Sequence, residues 1–118
     1  MRVQILPSLL AADNGILAAE ARRAEIAGGD ALHVDIMDGH FVPNLSFGPD
    51  VVSMARRAVR IPLNVHLMLT RPQDFVERFA KAGAAAISIH VEADCDVAET
   101  LRTIRSLGIE AAVTLKPA

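Results

Sequence analysis

The chain has 118 residues, 52% of them apolar and 22% charged, with 12 basic against 14 acidic side chains and a formal net charge of -2. That balance fits one ordinary globular domain with a real core and excludes a disordered chain. With no stripe of Lys and Arg it also argues against nucleic acid or an anionic membrane as partner. A single Cys95 excludes an internal disulfide. The opening residues have neither the charge pattern of a signal peptide nor the length of a membrane span, so the expected location is the cytoplasm.

Val3 to Leu6 is a short apolar run stopped by Pro7, which predicts a buried strand followed by the loop Ser8 to Ala12. Asp13-Asn14 offers a helix cap, and the Ala-rich segment from Ile16 to Ala27 reads as a helix closed by Gly28-Gly29. Ala31 to Met37 is a second strand, and the loop from Asp38 to Gly48 leads to Pro49, suited to the first turn of a helix ending near Arg60. Pro62 precedes a third strand, Leu63 to Met68. Thr70-Arg-Pro-Gln73 has capping-box spacing and predicts a helix through Phe75 and Phe79 to Gly83. Ala85 to Val91 is a fourth strand. Asp96-Val-Ala-Glu99 repeats the cap-then-acid spacing before the apolar stripe Leu101, Ile104 and Leu107, and Ala111 to Leu115 is a fifth strand.

Four βα units followed by a lone β-strand predict an α/β fold with a parallel sheet. Both a doubly wound sheet and a (β/α) barrel fit such a pattern, and the usual glycine-rich nucleotide signatures are missing. Polar residues recurring at the ends of consecutive strands favour the barrel: His33 and Asp35, then His66, then His90 and Glu92. A complete barrel has eight strands in about 250 residues. The expectation is therefore one domain over residues 1–118, an incomplete barrel of four βα units plus a fifth strand, with no second domain.

The chemistry gathers on two strands. In a strand, His33, Asp35 and Met37 share one face and Val34 and Ile36 the other. Two imidazoles and a carboxylate from neighbouring strands, His33, Asp35 and His66, suit a first-row divalent metal such as Zn, Fe or Mn. Met37 and Met68 read either as flexible core filling or as pocket lining. His40 reads as a structural or solvated loop residue, His90 and Glu92 as pocket residues or as hydrogen-bonding support for metal ligands, and Ser8 as a strand-end group within reach of a substrate.

Pro7-Ser-Leu-Leu-Ala-Ala-Asp13, His33-Val-Asp-Ile-Met-Asp-Gly-His-Phe-Val-Pro-Asn44, Val65-His-Leu-Met68, His90-Val-Glu92 and Leu115-Lys-Pro-Ala118 resemble the ribulose-phosphate 3-epimerase family along the whole chain. Asn64 stands where many relatives carry Asp, and Lys116 where many carry Asn. The resemblance implies a TIM barrel of carbohydrate metabolism that inverts C3 of a ketopentose 5-phosphate, interconverting D-ribulose and D-xylulose 5-phosphates. It implies one divalent ion (Zn, Fe, Mn or Co) held by His33, Asp35 and His66, with Asp35 as an acid/base group. Ser8, His66, Met37 and Met68 would meet the substrate. A second aspartate and the phosphate grip belong to later strands in that family, so the expectation is a truncated chain with little activity alone. The alternatives are an allulose-6-phosphate-type 3-epimerase and a non-catalytic half-barrel; exposed sheet edges further predict a homo-oligomer or edge-to-edge self-association.

Overall fold

A computed structural model describes residues 1–118. Four parallel strands, β1 (Leu32–Met37), β2 (Leu63–Met68), β3 (Ala86–His90) and β4 (Glu110–Thr114), lie side by side in chain order. Four helices alternate with them: α1 (Leu17–Ile26), α2 (Pro49–Ala58), α3 (Val76–Ala82) and α4 (Val97–Ser106). Parallel neighbours in chain order, each pair joined by a helix, are the repeating unit of a barrel.

Alternation along the strands decides which face carries the core. Leu32, Val34 and Ile36 of β1 and Leu63, Val65 and Leu67 of β2 are buried, and they pack with Val52 and Ala55 of α2, Val76 and Phe79 of α3 and Ile104 of α4. The helical side is therefore the apolar layer. The opposite face carries His33, Asp35 and Met37 beside Asn64, His66 and Met68.

The structure corrects the sequence reading at three element starts, one of them α1, where Asp13 caps a 3-10 turn at Asn14–Ile16 and the helix itself has no side-chain cap. Val3 to Leu6 is not a strand: it lies beside the start of β1 without a ladder, and the bridge on this edge is an isolated parallel one between Ser8 and His33. Ile5 and Pro7 carbonyls accept from Asp30 and His33, so two residues on one side span three on the other and the register slips. Pro7 has no N–H to return a bond, and the Ile5 N–H goes to the Asp30 carboxylate at 2.8 Å instead of a strand carbonyl. The Thr70-to-Gln73 capping box does not form either. A 3-10 turn at Pro72–Asp74 intervenes before α3, and Gln73 donates to the Asp94 carbonyl at 2.9 Å. Asp96 does cap as predicted, accepting from the Glu99 N–H at 2.9 Å.

Candidate metal and acid–base site

Register places Asp35 directly abreast of His66, which in turn is abreast of Ser88. Since residues in register on parallel strands share a face, the carboxylate and the imidazole meet without any loop to position them. His33, two residues before Asp35 on the same strand, completes the group. Asp35 Oδ1 lies 3.1 Å from both His33 Nε2 and His66 Nδ1. The other carboxylate oxygen, Oδ2, accepts from the Ser8 hydroxyl at 2.6 Å.

The electrostatics follow from that arrangement. Burial pushes the Asp35 carboxyl up, but hydrogen bonds from His33, His66 and Ser8 outweigh it and hold the group well below the usual carboxylate range. The same bond to Asp35 raises His33, against the opposing effect of burial. Side-chain exposures of 26%, 13% and 16% for His33, Asp35 and His66 leave the cluster withdrawn yet open to a small ligand.

His33, Asp35 and His66 each offer one ligand atom, and these atoms all lie within 4.8 Å of one another. Two imidazole nitrogens and a carboxylate oxygen around one small volume form a donor set that suits a borderline divalent cation. Both nitrogens now face the same oxygen, so the position where their protons point is one a cation can take. The donors fit a metal ion.

The other residues singled out in the sequence fall around this cluster. Met37 lies abreast of Met68 at the end of the strands, with Asn44 Nδ2 3.6 Å from the Met37 sulfur. His40 is exposed in the loop after β1, its ring N–H on the Asp38 carbonyl at 3.1 Å, and is not among the converging donors. His90 ends β3 with Nε2 2.7 Å from His66 Nε2, and Glu92 follows at the rim. Phe41 packs against His90 with ring centroids 5.0 Å apart, and the Lys116 ammonium sits 3.8 Å from the Phe41 centroid.

The sequence matches the model of the ribulose-phosphate 3 epimerase family over residues 4–118. The chain belongs to this family. Members similar to it include the ribulose-phosphate 3-epimerases of Bacillus subtilis, 42% identical over 98% of this chain and 53% of that protein, and Chlamydia trachomatis, 44% identical over 98% and 49%. A relative from Oryza sativa, named as a cytoplasmic isoform, is 45% identical over 97% of this chain and 50% of its own. The chain thus spans about half the length of the curated epimerases it matches. Among solved structures, mandelate oxidase superposes with a TM-score of 0.62 at 20% identity, covering 95% of this chain and 41% of its own. That likeness shows the fold: the epimerase-family chain is part of a TIM barrel, α/β with parallel strands.

Two contributors to the site escape sequence reading. Asp38, read only as the start of a loop, is a hub: Oδ1 accepts from the His40 and Phe41 N–H groups and Oδ2 from that of Thr70, all at 2.8 Å. Its Asp-Gly-His spacing carries the signal of an Asx turn, but nothing local points to Thr70. Ser46 bridges the Met37 N–H, at 2.9 Å, and the Asp35 carbonyl, at 2.5 Å, which ties the loop back to β1. No helix is long and apolar enough to cross a membrane.

Proposed function

We propose that the protein carrying this chain is a ribulose-phosphate 3-epimerase, interconverting D-ribulose 5-phosphate and D-xylulose 5-phosphate in the cytoplasm. The observation that carries the reading is the Asp35 carboxylate, held between His33 and His66 on the face of the parallel sheet turned away from the helices. Inverting C3 requires removal of a proton α to the carbonyl from one face and its return on the other, through an enediolate. Asp35, an ionised carboxylate with the Ser8 hydroxyl on Oδ2, accepts the C3 proton on its side. Ser8, already on Asp35 Oδ2, orients that carboxylate and offers its hydroxyl to the substrate. His33, Asp35 and His66 would hold one divalent cation, Zn, Fe, Mn or Co. When bound, such an ion supplies Lewis acidity for the charge that develops on substrate oxygen. In this reading Met37 and Met68, abreast on β1 and β2, would give the substrate an apolar, polarisable surface, with His66 on the same face of the sheet.

One carboxylate serves one face of the carbon. Residues 1–118, which span about half the length of the relatives, form half of a ribulose-phosphate-binding barrel in this reading, and the family resemblance implies that the opposite-face acid/base group and the phosphate grip come from later strands. A coupled assay of the intact protein on ribulose 5-phosphate tests the assignment, with a ketohexose 6-phosphate as the competing substrate. Turnover of the pentose should dominate, and Asp35→Asn should lower it by roughly 10²- to 10⁴-fold, the usual worth of a general acid–base group. Preference for the hexose phosphate, or an Asp35→Asn enzyme of undiminished rate, would refute it. Residues 1–118 alone should show little or no turnover.

A further inference from the structure

One buried polar atom beside the triad lacks a partner. His90 has a side chain only 7% exposed, stacked on His66 with centroids 4.9 Å apart and Nε2 2.7 Å from His66 Nε2. Its other ring nitrogen, Nδ1, is buried and makes no hydrogen bond, although Glu92 Oε2 stands 3.4 Å away. Glu92 is itself fixed, because Oε1 accepts the Lys116 backbone N–H at 2.6 Å. Buried polar groups in native proteins are almost always paired. An orphan in so ordered a line calls for a state in which it has a partner.

Proton ordering supplies that state. The ionised Asp35 can only accept, so a neutral His66 carries its proton on Nδ1, accepts on Nε2, and obliges His90 to donate from Nε2. His90 Nδ1 is then a bare lone pair facing a carboxylate, two acceptors with no hydrogen between them. For His66 Nδ1 to hold a cation its lone pair must be free, which moves the His66 proton to Nε2. His66 then donates to His90 Nε2, and the His90 proton moves to Nδ1, where it faces Glu92. Each ring keeps one proton throughout, and every group in the line gains a partner.

The geometry points to His90 and Glu92 as positioning residues that select the His66 tautomer with a free Nδ1 lone pair and so strengthen the hold on a divalent cation. The inference rests on the metal-site reading above. It places a carboxylate at the far end of an imidazole pair, an extended form of the outer partners that commonly orient histidine ligands.

Co(II) titration of the metal-stripped intact protein, followed by visible absorption, tests it with a readout independent of turnover. Glu92→Ala and His90→Gln should each weaken Co(II) binding by roughly 10- to 100-fold, the usual effect of removing such a partner. Metal-free melting temperatures should change little. Glu92→Gln, whose side-chain carbonyl still accepts from His90, should recover part of the affinity. Glu92 sits at the rim, so its variants carry the test even if His90→Gln fails to fold. Variants that bind Co(II) within threefold of the wild type overturn the inference while leaving the metal site standing. So does a loss of affinity matched by an equal loss of metal-free stability. A wild-type protein that takes up no Co(II) overturns both together.

Discussion

At Asp38 three backbone N–H groups converge on one carboxylate, from His40 and Phe41 in its own loop and from Thr70 after β2. Burial pushes this carboxyl up, but the three donors prevail and bring it down to about 2. A folded-state value below the unfolded one, about 3.9, adds stability that is fully present above that unfolded value and disappears as pH falls from about 4 towards 2. Over that window the wild type should bind close to one more proton on unfolding than Asp38→Asn does. Urea melts at a series of pH values measure this as a difference in the slope of stability against pH, and identical slopes would count against it. At neutral pH Asp38→Ala should cost roughly 1–3 kcal/mol, the range for leaving such groups unpaired. His33, Asp35 and His66 were legible in the sequence because strand alternation puts ligand types on one face. The role of Asp38 was not, because one of its three donors is the N–H of Thr70, a residue 32 positions away.

Among the elements, the end of α3 is the most demanding. Gly83 closes it at φ +119°, where an L side chain is strained, and a Cβ there would stand 2.7 Å from Arg56 Cγ of α2. Gly28, at φ +98°, also has a positive φ but open space around it. Gly83→Ala should therefore destabilise the fold by roughly 2 kcal/mol, combining left-handed strain of about 1–2 kcal/mol with the displacement of Arg56, and by more than Gly28→Ala does. Paired urea denaturation curves decide it; equal losses at the two sites would remove the packing contribution. Helix ends of this sort were readable from glycine alone. The errors came where a local signal met a tertiary one: Pro7 withholds the N–H that would close the predicted first strand, and the Thr70 N–H is claimed by Asp38 while Gln73 reaches Asp94 instead of forming a cap.

For the whole molecule, the decisive quantity is what the ends of the sheet expose. β4 is an edge strand, Val113 is 48% exposed and the adjoining Leu115 68%, while on the far side of the sheet Val3 and Ile5 are 78% and 60% exposed beside β1. The βα alternation made the parallel order of the strands legible, and strand-end polar residues pointed to a barrel; neither could say how much of each edge is left uncovered, since that depends on neighbours and not on period. An edge strand offers unpaired N–H and C=O groups to any second strand, and apolar side chains on it add a hydrophobic gain to the pairing. Residues 1–118 prepared as a separate chain should therefore self-associate in a concentration-dependent way, through β4 before the opposite edge, where the slipped Ile5–Pro7 segment already occupies part of β1. Sedimentation velocity over a hundredfold range of concentration measures this. Val113→Lys, which puts a charge on the edge, should shift the distribution towards monomer, whereas Val3→Lys should shift it less. A monomer at every concentration would show that the exposed β4 edge does not drive association, and an equal response to the two lysines would place the contact elsewhere.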